Sequence, residues 1–417
     1  MQTTPEQTIP ERWITEWNGL DSLPAPERDV LVHDETLRDG LQSPSVMQPT
    51  LDDKIELVNF MQRIGVNSVD LGMPAASQTI KDHVTRLVTE IAIDRLPVSI
   101  ACAARTTRPD IAAVAEIAQR TGQPVSVMAF VGISPIRMYV EQWSVVPLLQ
   151  EVQDAVAFAR REGLQVCIVT EDTTRSRPEV AIDVYAAALH AGAERVCICD
   201  TVGYATPWGA AAVVDCLRRG LVERGFPDVE IDWHGHNDRG LAVANSLAAV
   251  CSGACRLHGT ALGIGERAGN AQIEQLLVNL CDIGWRATTL ADLPGYCELA
   301  GRIFGVNIPC NQPFVGADAY RTATGVHAAA IRKAQRLGDN WLAERVYSGI
   351  PASLVGRTQV IEVGPGSGRS NILAWLQSQG LTDDPLIVRR IQRAVAGASR
   401  IFTSQELLAL VALPAPA

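Results

Sequence analysis

Ile231-Asp232-Trp233-His234-Gly235-His236-Asn237-Asp238-Arg239-Gly240 joins an apolar, β-rich run to a polar turn, with two imidazoles at the junction. Strand side chains alternate faces, so His234 and His236 point the same way. Two same-facing histidines beside an amide and a carboxylate form half of a mononuclear metal site, because neutral imidazole is the commonest protein metal ligand. The same kind of junction recurs along the chain. The β-rich runs are 30–34, 66–72, 98–103, 125–132, 165–170, 195–200, 230–234 and 256–260, eight in all. Most are continuous Val, Ile and Cys runs, the pattern of strands buried on both faces in a parallel sheet.

Helical patterns separate these runs. In 50–65, Thr50 is an N-cap with Asp53 three residues on, Leu51, Ile55 and Val58 share one face, and Gly65 ends the helix in a left-handed turn. Eight strand-then-helix units in about 250 residues predict an α/β fold of the (β/α)8 or TIM-barrel type, whose closure leaves no edge strand. A doubly wound open sheet is the rival arrangement. The organisation expected is an N-terminal tail over 1–28, a barrel domain over 29–292, and a smaller, mainly helical C-terminal subdomain over 293–417. That last region carries Thr324-Gly325-Val326-His327, Val346-Tyr347-Ser348-Gly349, a glycine-rich Val363-Gly364-Pro365-Gly366-Ser367-Gly368-Arg369, and two helices within 384–413.

At 417 residues and 47% hydrophobic content, the chain is long enough to bury a real core. A formal net charge of -10 with no basic cluster argues against nucleic-acid and membrane-surface partners, so an anionic substrate must be held by a few local cations. Ten cysteines without Cys-x-x-Cys pairs, and a polar N-terminus lacking a signal pattern, point to a reducing cytoplasm. Cys197 and Cys199 share one strand face and read as core packing. No apolar run is long enough to span a bilayer.

Polar groups fall at the carboxyl ends of the runs, where a barrel carries its active site. Arg38 and Asp39 follow the first run, Arg137 the fourth, Glu171 the fifth and Thr201 the sixth; His234 and His236 end the seventh, and Asn270 follows the eighth. Asp39, His234, His236 and Asn270 give two nitrogen and two oxygen ligands, a set that suits Mn²⁺, Mg²⁺, Zn²⁺ or Co²⁺ in a site with open positions. Such a cation can chelate a 2-oxo acid and polarise its carbonyl, with Arg38 stabilising the oxyanion that develops. The loop Gly263-Ile264-Gly265-Glu266-Arg267-Ala268-Gly269-Asn270 is not a dinucleotide fingerprint, since its third glycine comes one residue late and it follows the last strand. Its glycines are expected to let backbone approach a ligand phosphate, such as those of coenzyme A.

Asp34-Glu35-Thr36-Leu37-Arg38-Asp39-Gly40, Asp200-Thr201-Val202-Gly203-Tyr204-Ala205-Thr206-Pro207, His234-Gly235-His236-Asn237-Asp238 and the glycine loop together resemble the signatures of the isopropylmalate synthase and homocitrate synthase family, related to hydroxymethylglutaryl-CoA lyase. The resemblance runs in order from about Val30 to the C-terminus. It implies a metal-dependent Claisen condensation of an acyl-CoA, usually acetyl-CoA, with a 2-oxo acid, followed by thioester hydrolysis. It also implies metal ligation by Asp39, His234 and His236 with Asn270 close by, charge stabilisation by Arg38, and contacts of Thr201, with Gln42, to the 2-oxo acid. Glu171 matches an acidic active-site residue. His327 matches the histidine of a Ser-Gly-Ile-His motif, written here Thr-Gly-Val-His, and its near-neutral ordinary pKa suits proton transfer. Tyr347 matches a tyrosine that in the family reaches the neighbouring subunit's site, so a homodimer with shared active sites is implied.

Departures from the family pattern bear on the substrate. In Ser134-Pro135-Ile136-Arg137-Met138 an arginine stands where isopropylmalate synthases typically carry histidine, and homocitrate synthases place an arginine in this region. A guanidinium binds a carboxylate or phosphonate bidentately, so Arg137 points to a 2-oxo acid with a second anion: the 2-oxoglutarate, oxaloacetate or phosphonopyruvate class. Ala261-Leu262 departs from the Val-Asn of isopropylmalate synthases, and Asp70 stands where glutamate is common. The alternatives are a synthase acting on 2-oxoisovalerate, a carbon–carbon lyase, and a non-catalytic barrel. Hydroxymethylglutaryl-CoA lyases carry a cysteine after the eighth strand, whereas 261–270 hold none; a non-catalytic barrel predicts damage at a metal or arginine position, and none is visible. Feedback through a large C-terminal leucine-binding domain is not expected.

Overall fold

Eight short strands pair in sequence order: β1 Leu31–Asp34, β2 Ser68–Asp70, β3 Ser99–Arg105, β4 Ser126–Gly132, β5 Gln165–Glu171, β6 Arg195–Asp200, β7 Glu230–Gly235 and β8 Arg256–Gly259. All neighbours are parallel, and β1 pairs again with β8, Leu31 opposite Arg256 through Asp34 opposite Gly259, so the sheet closes into a TIM barrel. The open-sheet rival is excluded by that last pairing. The computed structural model describes residues 13–15, 17–18, 26 and 29–413, so most of the expected 1–28 tail lies outside the described residues.

The strands are buried on both faces, as their apolar runs predict, but the two faces differ in kind. Val32, Val69, Cys102, Val127, Val166, Val196, Ile231 and Leu257 belong to the main core beneath the helices. The opposite face fills the barrel interior. On one side of that interior, Ala101, Met128, Cys167, Cys197 and Cys199 pack together, which bears out the reading of the paired cysteines as packing. On the other side the filling is polar: Arg256 Nη1 donates across β1 to Ser68 Oγ on β2 at 3.0 Å. Buried polar groups are costly unless partnered, and hydrogen bonds and ion pairs link His33, Ser68, Asp232, Arg256 and His258 in this half of the barrel.

The helix Leu51–Arg63 forms as its sequence dictates. Thr50 Oγ1 accepts from Asp53 N, Asp53 Oδ2 accepts from Thr50 N, and Gly65 follows at φ +84°. These two bonds satisfy helix N–H groups that have no partner within the helix. After the barrel, the helix Leu293–Phe304 packs on the same core, with Tyr296, Phe304, Tyr320, Ala352 and Val355 sharing it. Tyr296 Oη donates to Asp34 Oδ2 at 2.5 Å. A second, smaller core of Val363, Ile372, Trp375, Leu376, Val388, Ile391, Val395 and Leu407 is built by Arg369–Ser378, Pro385–Ala396 and Ser404–Ala412. The described part of the C-terminal segment, 293–413, thus divides between two cores. It also holds a two-residue parallel pairing, Arg321–Thr322 with Val360–Ile361. Among the described residues no helix is long and apolar enough to cross a membrane.

Candidate active site

The chain leaves β1 through a tight turn in which Asp34 Oδ1 accepts from Thr36 N at 2.8 Å, and Arg38 N and Gly40 N both donate to Glu35 O. The turn brings Glu35, Arg38 and Asp39 to the carboxyl-end mouth of the barrel. His234 lies opposite Cys199 in register on β7, and His236 follows two residues on, same-facing as alternation requires. The two rings lie 5.1 Å apart. His234 Nε2 stands 3.5 Å, and His236 Nε2 3.4 Å, from Asp39 Oδ2. Donors sharing one divalent cation at about 2.1 Å stand roughly 3.0–3.4 Å from each other, so the observed spacing fits a common ligand set.

Two buried acceptors strengthen the fit. Asp39 Oδ2 and Asn270 Oδ1 have no hydrogen-bond partner in the protein, a costly state that a cation or solvent relieves. Asn270 comes beside His236 through a backbone bridge, and Asn237 N donates to Gly269 O at 2.8 Å. Here the glycine loop has a different use from the one expected. A Cβ at Gly269 would lie 1.8 Å from Gly263 O, and one at Gly265 would lie 2.3 Å from Asn270 Nδ2. Those glycines let the loop fold tightly on itself around Asn270; the space a side chain would take is filled by protein atoms.

The electrostatics favour neutral imidazoles beside an ionised carboxylate. Burial pushes His234 down to about 3; burial and His234 together push His236 down to about 4. Both therefore keep a lone pair for ligation near neutrality. Burial works to raise the Asp39 carboxyl, but Arg38, His234 and His236 outweigh it and hold it below its ordinary value. Arg38 Nη2 bonds Glu35, Nη1 lies 3.6 Å from Asp39 Oδ1, and Nε lies 3.4 Å from Asp70 Oδ2.

A cavity of about 170 Å³ opens above this floor. Gln42, Thr201 and Glu171 line it together with Arg38, Asp39, His234 and His236, and Met73, Ala103, Met128, Phe130 and Val169 supply an apolar wall. Burial raises the Glu171 carboxyl above its ordinary value despite Arg137. Thr201 Oγ1 accepts from Asp172 N at 2.9 Å.

Three expected site residues lie elsewhere. Arg137 is not part of the cavity lining; its Nη1 pairs with Glu141 at 2.9 Å and its Nε lies 4.0 Å from Glu171 Oε2, so it sits behind Glu171. His327 and Tyr347 stack on each other at 3.9 Å, also outside the cavity lining. Conversely, sequence reasoning missed Arg267, whose guanidinium bonds Asp238 and Thr201 O at the cavity edge. It also missed a second buried group, His33, Glu35 and His258. Glu35 stood in plain view beside Arg38, and strand alternation places His258 on the same face as Arg256 and Thr260.

Residues 29–299 match the HMGL-like family model. The chain is 33% identical to the homocitrate synthase AksA of Methanopyrus kandleri over 88% of its own length and 87% of that protein's. It is 34% identical to the 2-isopropylmalate synthase of Pyrococcus furiosus over 73% of its length and 61% of that protein's. Among solved structures, the HMG-CoA lyase of Bacillus subtilis superposes with a TM-score of 0.57 at 22% identity, covering 69% of this chain and 97% of that one; at this identity the likeness concerns the fold.

Proposed function

The chain belongs to the HMGL-like family, and from that premise we propose that it condenses acetyl-CoA with a 2-oxo acid, releasing CoA and a 2-substituted malate-type product. The observation that carries this reading is the convergence of Asp39 Oδ2 and the two imidazole Nε2 atoms, with Arg38 beside them, on the floor of one cavity. Asp39, His234 and His236, with Asn270 adjacent, would hold a divalent cation of the Mn²⁺, Mg²⁺, Zn²⁺ or Co²⁺ group. When bound, such a cation supplies Lewis acidity to the keto group.

The chain's own residues account for the rest. Thr201 and Gln42 orient the 2-oxo acid carboxylate from the cavity wall. Arg38, its guanidinium held among Glu35, Asp39 and Asp70, offsets the negative charge that develops on the keto oxygen as the acetyl methyl carbon attacks the keto carbon. A proton must leave that methyl group and another must reach the new alkoxide. Glu171, whose burial makes it hold a proton more readily, serves this exchange, with His327 and Tyr347 delivered from the C-terminal region of a second subunit. Water then hydrolyses the thioester, leaving a carboxylate and the CoA thiol.

For the 2-oxo acid, Arg137 supports one with a distal anion, because its guanidinium stands directly behind Glu171, which lines the cavity. A second reading has its own observation: the cavity wall is apolar and Arg137 is engaged by Glu141 and Glu171, which suits 2-oxoisovalerate. Metal-loaded protein incubated with acetyl-CoA and a panel of 2-oxo acids, with thiol release followed, tests both. Fast release with a dianionic acid, lost in Arg137→Ala, is the expected result. Preference for 2-oxoisovalerate, indifferent to that substitution, would overturn the distal-anion reading, and no release with any acid would overturn the condensation itself.

A further inference from the structure

Beneath the triad lies a second, largely buried polar layer to which the proposed reaction gives no role. Its centre is His258 on β8. His258 Nδ1 stands 2.6 Å from Glu35 Oε1, and its Nε2 stands 3.3 Å from Asp232 Oδ2. Asp232 is in turn fixed between Arg195 Nε and Arg256 Nε, each 3.5 Å away. The other oxygen of Glu35 faces His234 Nδ1 at 3.4 Å and bonds Arg38 Nη2. One carboxylate thus touches a candidate metal ligand, the candidate oxyanion-stabilising arginine and a deeper histidine.

His33, Glu35 and His258 present donors close enough together to raise the question of a second cation. Two observations decide against it. The 2.6 Å between His258 Nδ1 and Glu35 Oε1 is a hydrogen-bond distance, shorter than the roughly 3.0 Å or more that separates two ligands on one cation. Arg195 and Arg256 also bring two guanidiniums to this layer, and their charge opposes a divalent ion in the low-dielectric interior. A hydrogen bond, in contrast, accounts for the close approach of His258 to Glu35. A ligating histidine is commonly oriented by a carboxylate on its remote nitrogen, and removing that partner typically weakens the metal about 10–100-fold.

We infer that Glu35 and His258 form a positioning pair: His258, anchored on Asp232, holds Glu35 so that it turns Nε2 of His234 toward Asp39 and at the same time sets the guanidinium of Arg38. The inference rests on the reading of Asp39, His234 and His236 as the metal site. His258 lies outside the cavity lining, whereas Glu35 reaches the cavity floor; the pair acts through His234 and Arg38.

The test is metal binding by the full chain, stripped and titrated with Co²⁺ against a chromophoric chelator, with the Co²⁺ visible spectrum recorded. Wild type is expected to take one ion per chain. Glu35→Gln, nearly equal in volume, and His258→Ala are expected to bind that ion about 10–100-fold more weakly with an altered Co²⁺ spectrum. His258→Gln, whose amide can still donate to Glu35, should recover part of the loss. Should His258→Ala fail to fold, Glu35→Gln carries the test alone. Unchanged affinity and spectrum in the folded variants, whatever happens to the melting temperature, would overturn the pair and leave His258 a packing residue. Two ions in wild type, one of them lost with His258→Ala, would overturn it in favour of a second metal site. If instead Asp39→Asn binds as tightly as wild type, the metal-site reading itself fails, a result distinct from the other two.

Discussion

Arg38 meets three carboxylates with three different nitrogens, Nη2 on Glu35, Nη1 toward Asp39 and Nε toward Asp70. A planar fork can do this and a single ammonium cannot. Arg38→Lys therefore keeps the charge while losing the geometry, and if Arg38 acts on the developing oxyanion its loss falls on turnover. The expected result is a fall in kcat on the order of 10²-fold or more, with metal content unchanged, read by thiol release beside metal analysis. At this scale the sequence was legible where chemistry sits in contiguous motifs: the His-x-His pair, Asp39, and Asn270 in its glycine loop come together in space. It was not legible at His258. A lone histidine in an apolar strand reads as a satisfied core residue, and only closure of the barrel sets β8 against β1, opposing His258 to His33 and bringing Glu35 within reach.

Elements follow from local rules, and these can be checked one at a time. The eight strand-rich runs of the sequence are the eight strands of the barrel, while the polar filling of its interior was hidden because Asp232, Arg256 and His258 are spread singly over two strands. Thr50→Ala removes the acceptor for Asp53 N and should lower stability by about 1 kcal/mol, seen as a lower urea midpoint with an unchanged m-value. Glu274, in the helix Ile273–Asp282, makes a different case. It is fully buried, accepts from Leu262 N and Gln312 Nε2 at 3.1 Å each, and burial lifts its carboxyl to about 7. The folded protein then binds a proton more tightly than the unfolded chain does. Its contribution to stability is therefore present below the ordinary carboxylate range and is lost as pH rises through about 7. Glu274→Gln cannot titrate, so its melting temperature relative to wild type should be higher at pH 8 than at pH 6. A difference that stays constant across that range would show that Glu274 is not the group responsible.

For the whole molecule, the proposed reaction calls on two residues, His327 and Tyr347, that lie outside the lining of the chain's own cavity. His327 and Tyr347 stack on each other, and Tyr347 is 45% exposed, with Val326 and Val346 beside them exposed as well. An aromatic pair with an apolar, accessible surround is what an interface contributes to a neighbour. At the barrel mouth, Ile136, Tyr139, Val140 and Trp143 are exposed just after β4 and would offer the apolar counterpart in the proposed dimer. In a two-fold dimer each barrel would then be completed by the other chain's C-terminal region, and the two copies would be mutually dependent. Complementation tests this without requiring any variant to be active alone. His236→Ala leaves His327 intact, and His327→Ala leaves the triad intact; each homodimer is inactive on the proposed reading. After subunit exchange in an equal mixture, half of the dimers are mixed. In each of these one site has both defects and the other has neither, so activity should return to about a quarter of wild type. Activity that stays at the level of the separate variants after exchange would place His327 in the service of its own chain, or outside the reaction.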